Sequence, residues 1–296
     1  MKGVTISPST AIENQGNTYM DFDNRLDSAI HKSRDFLLSQ QTEEGYWVDE
    51  LESNATITAE LIFFMHFTET VDLEKQKKLT SYLLHKQRED GSWPLYFGGP
   101  CDINSTVESY MALKLAGVPE NRQEMILARE AIFANGGIKG TRVFTKIFLA
   151  MFGQISWDVC PAVPVEIILF KNWFPLNIYE MSSWSRGTVV PLSIVVSHKP
   201  VCHPLEGHGV KELFTVGDRE LGFEPDGSIF SSWRNFFIYL DKVIKFVGKS
   251  PWKPFRKRAL KKALHWVFEH QEEQGDFAGI QPAMLNSLLA YHYEGV

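Results

Sequence analysis

Leu83-Leu-His-Lys-Gln-Arg-Glu-Asp-Gly-Ser-Trp93 is the stretch whose reading decides the fold. Leu83 and Leu84 close an amphipathic run, Gln87 stands where the helix stops, Gly91 supplies a left-handed capping position, and Trp93 folds an indole back. The spacing recurs as Gln41-x3-Gly45-x-Trp47 and as Gln271-x3-Gly275-x-Phe277, the last with Phe in place of Trp. Each copy follows an amphipathic run. A Gln amide at a helix end reaches backbone groups of a neighbouring helix while the aromatic ring packs over it. Such units bury their apolar faces only by stacking, so the repeat predicts helix pairs closed into a ring: an all-α, α/α barrel.

Outward from the repeat, helical periods dominate. Leu26, Ile30, Phe36, Leu37 and Leu38 mark an amphipathic helix ending near Gln41, and Ile57 to Met65 is almost entirely apolar, the pattern of a helix buried on most sides. Further helices are expected over 73–88, 103–116, 120–134, 140–153, 178–197, 229–247, 255–271 and 280–293. Val189 to Val196 is the one strand-like run, and Pro191 interrupts it. Residues 1–24 are polar and aperiodic and read as a flexible arm; 25–296 read as the barrel. Within it, 198–228 is rich in Pro, Gly and His and reads as a long surface loop.

Composition bounds the rest. In 296 residues, 44% are hydrophobic and 22% charged, which excludes a disordered chain. A net charge of −6 gives no general case for nucleic-acid binding. The 21 Phe, 8 Trp and 9 Tyr are an unusual supply of π-faced surface. Three widely spaced cysteines fit a reducing compartment and no zinc pattern. The N-terminus lacks the apolar core of a secretory signal, and no apolar run reaches the ~18 residues of a membrane span. His203 and His208 beside Cys202 match no ligand spacing, and no phosphate-cradling loop or hydrolase elbow occurs, so neither metal nor cofactor is expected.

From about Leu26 to its end the sequence resembles the squalene-hopene cyclases of the triterpene cyclase family. Beside the repeats, the resemblance rests on Leu83–Trp93, Gly136-Gly-Ile138, Arg142-Val-Phe-Thr145, Pro175-Leu-Asn-Ile-Tyr-Glu180, Ser183-Trp-Ser-Arg186 and Gly279-Ile-Gln-Pro282. That family builds two α/α barrels, and this chain resembles the smaller, inserted one with its preceding helix. The second barrel carries an Asp-x-Asp-Asp motif whose acid protonates a terminal alkene of squalene. No such motif occurs here; the nearest look-alike, Asp21-Phe22-Asp23-Asn24, lies in the polar arm. A partner barrel bearing the motif, from the same gene or a split one, is therefore implied, and the chain alone is expected to be inactive.

The resemblance also assigns roles. Trp184 would line the cyclisation cavity, with Ile280 and Pro282 beside Gln281. Gln281 would orient the water that ends the cascade, backed by a buried polar network of Glu60, Glu108 and Arg142. Read without the family, Trp184 is a core aromatic, Gln281 a helix-start polar residue, and the charged three a structural ion-pair group. Two departures from the family, Phe277 for the repeat Trp and Ala283-Met-Leu-Asn286 after Pro282, leave the product skeleton open.

Residues 229–262 form the other informative segment. Phe230, Trp233, Phe236, Phe237, Ile238 and Leu240 precede Lys242, Lys245, Lys249, Lys253, Arg256, Lys257, Arg258, Lys261 and Lys262. An aromatic amphipathic helix beside a basic run reads as an interfacial anchor on anionic lipid. The expected setting is the cytoplasmic face of a membrane, peripherally bound, with squalene or a related polyprene as substrate and no nucleic-acid partner. Two other functions fit parts of the sequence: an α/α-toroid glycosidase using Glu60 and Glu108 as its acid–base pair, and a non-catalytic lipid-binding barrel.

Overall fold

The computed structural model describes residues 8–48, 52–174, 177–215, 221–250, 252–277 and 279–296, with side chains from residue 21 onward. Residues 1–7 of the expected arm, and Pro175 and Leu176 of the stretch Pro175–Glu180, lie outside the described residues. The chain divides into two compact units, Met1–Glu52 and Ser53–Val296.

The first unit holds one long helix, α1 (Pro8–Ser39). It begins well inside the stretch read as an irregular arm. Backbone hydrogen bonding needs no apolar stripe, so a search for apolar periodicity passes over a polar helical segment. The turn after α1 carries the first repeat. Gln41 Nε2 donates to Gly45 O at 2.7 Å, Gly45 has a φ of +91°, and Trp47 Nε1 donates to Leu37 O at 2.5 Å.

The second unit is helical throughout its described residues: α2 (Ala55–Phe67), α3 (Leu73–Lys86), α4 (Ile103–Leu115), α5 (Gln123–Ala134), α6 (Val143–Met151), α7 (Ser183–His198), α8 (Trp233–Gly248), α9 (Arg256–Glu269) and α10 (Gln281–Glu294), with short 3₁₀ turns between. Helix starts are set by short polar side chains. Asn54, Asp102 and Ser182 accept from backbone N–H groups of the first turns of α2, α4 and α7. Residues 189–196 belong to α7, not to a strand. Pro191 gives up one N–H, and the apolar run around it is buried because α7 packs against both α9 and α10.

α4 is the central element, with every residue from Asn104 to Leu115 buried. It packs against α2, α5 and α6; α2 in turn meets α10, and α10 meets α7. Met151 at the end of α6 accepts from Cys202 N at 2.7 Å, and the Trp157 indole donates to Pro200 O at 3.0 Å, tying α6 to the chain that leaves α7. The succession α7–α10–α2–α4–α6 thus closes on itself as an α/α toroid. The segment read as a surface loop, 198–228, is largely exposed where it is described and is tied to the core at a few points. Val210 and Leu213 are fully buried, Tyr110 Oη donates to Glu212 Oε1 at 2.7 Å, and Lys114 Nζ lies 3.1 Å from the same carboxylate.

The second repeat shows what the motif does. Gln87 Nε2 donates both to Gly91 O at 2.9 Å and to Glu124 O of α5 at 2.8 Å, and the buried Trp93 indole donates to Leu83 O at 2.8 Å. Gly91 takes a φ of +80°, in the turn beyond the helix end rather than at the cap itself. In the third copy Gln271 Nε2 donates to Gly275 O at 3.1 Å, and the Phe277 ring packs in the core with no side-chain N–H to offer. Val267 O, the carbonyl ten residues before Phe277, accepts from His270 N, as Leu37 O accepts from Gln40 N in the first copy.

A Cβ on Gly91 would stand 2.3 Å from the Leu127 carbonyl carbon, whereas one on Gly45 would meet nothing nearer than 3.9 Å. Gly91→Ala therefore combines left-handed strain of roughly 1–2 kcal/mol with overpacking of roughly 1–3 kcal/mol. Gly45→Ala carries the strain alone. Thermal unfolding followed by circular dichroism should show a clearly larger loss of Tm for Gly91→Ala; equal losses would refute the close approach as the stabilising constraint.

Candidate functional site

Four of the residues singled out in the sequence are carried by neighbouring helices of the second unit, with Glu60 and Glu108 buried and Gln281 half-buried, whereas the Arg142 side chain is 44% exposed rather than part of a buried network. Glu60 lies on α2 against a wall of Phe63, Phe64, Phe67, Phe148, Met151, Leu285 and Leu289, which enclose a space of about 10 Å³. That is about the volume one water needs. Glu108, on α4, is 1% exposed; Thr145 Oγ1 donates to its Oε1 at 2.5 Å, and Arg142 Nη2 stands 4.0 Å from the same oxygen. Arg142 is held at the start of α6 by its own backbone N–H, which donates to Asn104 Oδ1 at 2.6 Å. Gln281 opens α10, and its Nε2 donates to Ile57 O at 3.1 Å, one turn before Glu60. Glu108 Oε2 and Gln281 Oε1 are buried acceptors to which no described protein donor points.

The electrostatics follow from burial. Desolvation pushes the Glu60 carboxyl up to about 8; the negative charge of Glu108 adds to this and Arg142 opposes it. Glu108 is also raised by burial, to about 7, with the Thr145 hydroxyl and Arg142 pulling it back. Burial thus shifts both carboxyls toward the protonated form near neutrality. A protonated carboxyl is a donor, so this group can polarise or orient a small polar molecule in an otherwise apolar setting. A glycosidase reading fares poorly here, because the Glu60 cavity is lined by phenylalanines, methionine and leucines rather than by sugar-binding polar groups.

Trp184 stands apart from this buried group. It sits in the first turn of α7 and is 66% exposed, so it is not a core aromatic. α7 nonetheless lies against α10 just beyond it, where Asn286 Nδ2 donates to Thr188 O at 3.5 Å. Ile280 and Pro282 are half-buried around the start of α10, with Ile280 packed on the core. Asn104 and Thr145 were not singled out in the sequence, although Thr145 lies within Arg142–Thr145. Their signal is indirect: a buried carboxylate requires hydrogen-bond donors on the neighbouring helices.

Of the segment 229–262, Phe230, Trp233 and Phe237 are exposed while Ile238 is buried. Trp252 and Phe255, which the sequence reading passed over, are exposed as well. Several of the cations have protein partners: Lys242 with Glu224 at 2.9 Å, Lys245 with Asp241 at 2.7 Å, Arg256 with Glu166 at 2.7 Å, and Lys262 with Ile168 O at 2.8 Å. His208 bonds to Leu115 O at 3.1 Å, and no group of three His, Cys, Asp or Glu among the described residues is placed to hold a metal.

Because both carboxyls titrate above the ordinary range in the folded chain, the folded state binds more protons than the unfolded one between about pH 4.5 and 8. Their contribution to stability is thus favourable at low pH and is lost as pH rises through that window. Glu60→Gln removes one titration, so its Tm relative to the parent should climb between pH 5 and pH 8. Each kcal/mol gained corresponds to roughly 2–4 °C in a chain of this size. A pH-independent difference would refute the raised carboxyl.

Compared with known families, residues 30–296 match the squalene-hopene cyclase N-terminal domain. The chain is 42% identical over 267 residues to the squalene–hopene cyclase of Alicyclobacillus acidocaldarius, covering 90% of this chain and 41% of that protein. It is 37% identical to the squalene–hopene cyclase of Zymomonas mobilis, covering 97% of this chain and 43% of that one. A plant relative, the dammaradiene synthase of Dryopteris crassirhizoma, is 37% identical over 89% of this chain and 38% of its own length. The chain thus spans well under half the length of each of these three curated relatives. With a family match over nearly its whole length, the chain belongs to the squalene-hopene cyclase N-terminal domain family.

Proposed function

We propose that this chain is the wall-building barrel of a triterpene cyclase that converts squalene or a related polyprene into a polycyclic product. The observation that carries the reading is the burial of two carboxyls, Glu60 in an aromatic-lined space and Glu108 beside Arg142, with unpartnered acceptor oxygens on Glu108 and Gln281. In the proposed reaction an acid protonates a terminal alkene, ring closures carry the positive charge along the chain, and a proton leaves or water adds at the end. Gln281, with its Nε2 engaged by Ile57 O, keeps Oε1 for a terminating water, and the carboxyl pair behind it takes up or relays the released proton. Trp184 offers a π face to a cation without acting as a nucleophile. No Asp-x-Asp-Asp occurs in this sequence, so the initiating acid comes from a second barrel and this chain by itself does not turn squalene over.

The same proposal puts the chain on the cytoplasmic face of a membrane. Exposed Phe230, Trp233, Phe237, Phe246 and Trp252 beside a run of lysines and arginines support a peripheral attachment through 229–262. None of the helices among the described residues is long and apolar enough to cross a membrane.

The test is squalene turnover in liposomes by this chain alone and mixed with a second barrel carrying Asp-x-Asp-Asp. Turnover in the mixture only is expected. Trp184→Ala should then lower the rate about 2–5-fold, the worth of one exposed cation–π face, and Gln281→Ala should shift the ratio of deprotonated to hydrated products. Turnover by the chain alone would overturn the assignment of the acid. Inactivity in both, with the chain folded and bound to liposomes, would favour a non-catalytic lipid-binding barrel.

A further inference from the structure

Beside the ring, a cleft of about 300 Å³ opens between the C-terminal ends of α7 and α8 and the segment 157–164. Its floor is apolar, with Trp157, Cys160, Ala162 and Val196. Its rim is cationic: Lys199, Lys245, Lys249, Lys253 and Arg256 all line it. Three of these are already paired, Lys199 with Asp158 at 3.4 Å, Lys245 with Asp241 at 2.7 Å and Arg256 through Nε with Glu166 at 2.7 Å. His198, also on the rim, bonds to Glu294 at 2.7 Å. Lys249 and Lys253 have no acidic partner among the described residues, so the cleft carries an excess of positive charge with two ammonium groups uncommitted.

The flanking residues say what kind of anion suits it. Phe246 and Val247 directly precede the Gly248–Lys249 edge, Trp252 precedes Lys253, and Phe255 precedes Arg256. These four apolar side chains are exposed, Phe246 at 80% and Trp252 at 79%, while the cations next to them in sequence line the cleft. A free anion in water would leave that apolar surface wet. A phosphate attached to a lipid lets the same contact bury it. We propose that the cleft holds the phosphate of an anionic phospholipid headgroup between Lys249 and Lys253, with Trp252, Phe246 and Phe255 seated in the surrounding interface. The proposal rests on the membrane attachment above and adds to it a defined headgroup site.

The test is flotation of the full chain on vesicles of phosphatidylcholine alone and of phosphatidylcholine with a minor fraction of phosphatidylglycerol. The parent should bind the mixed vesicles more tightly. Lys249→Ala with Lys253→Ala should cut that binding about 30-fold, at about 1 kcal/mol for each lysine, and leave binding to pure phosphatidylcholine unchanged. Lys249→Arg with Lys253→Arg should restore the preference. Lys257→Ala with Lys261→Ala, cations on α9 that do not line the cleft, should cost less than about threefold. Equal losses from the two alanine pairs would mean diffuse attraction and overturn the site, as would displacement from mixed vesicles by millimolar inorganic phosphate, which would make it a free-phosphate site. A parent that binds both vesicle types equally would overturn the headgroup site while leaving the membrane attachment intact; one that binds neither would overturn the attachment and the site with it.

Discussion

The last carbonyl groups of a helix have no partner inside it, and a stack of helices in which those ends are buried must supply donors from elsewhere. At the end of α3 the donor to Leu83 O is the indole of Trp93, ten residues on, and the Gln87 amide joins the turn to α5 through Glu124 O. The turn can run so close to α5 only because residue 91 has no Cβ. Three fixed residue types thus satisfy a helix end, bind the next helix and set the distance between them. In the first copy Leu37 O accepts both from the Trp47 indole and from Gln40 N, and in the third Val267 O keeps only the corresponding backbone bond, from His270 N. Losing the Trp at 277 therefore costs the motif one bond but leaves no orphaned carbonyl.

Burying α4 on all sides has a second consequence. A helix with no solvent-facing stripe must satisfy its polar residues within the protein, and α4 carries Asn104, Glu108 and Lys114 inward. Lys114 is answered by Glu120 and Glu212, which anchors the segment after α7; Asn104 and Glu108 are answered by Arg142 and Thr145, which fixes the start of α6. The polar group proposed to serve the terminating water is thus continuous with the contacts that hold the ring together. Its raised carboxyls are the expected outcome of placing acids where one hydroxyl and one guanidinium only partly offset desolvation.

The outer surface follows a different logic. On α8 and the turn after it, aromatic and cationic residues alternate along the chain, and the fold separates them, with aromatic rings outward and several ammonium groups into a cleft. Neither the aromatic surface nor the charge is unusual alone. Their segregation over a few residues is what distinguishes an interface from a solvated helix face.

The sequence by itself determined the class of fold and nearly every helix, because apolar periodicity and the Gln–Gly–aromatic spacing are local signals set by 3.6-residue geometry and by one turn type. It also named Glu60, Glu108, Arg142 and Gln281, through resemblance rather than through any local pattern. Several matters only the tertiary structure decided. α1 reaches back to Pro8 without an apolar stripe to mark it; residues 190–196 of α7 are buried because two neighbouring helices lie on them; the largely exposed 198–228 is tied to the core at Val210, Glu212 and Leu213; and Trp184 and Arg142 are exposed. In each case the outcome depends on which distant segment lies alongside, and that is information carried by packing rather than by any stretch of residues read alone.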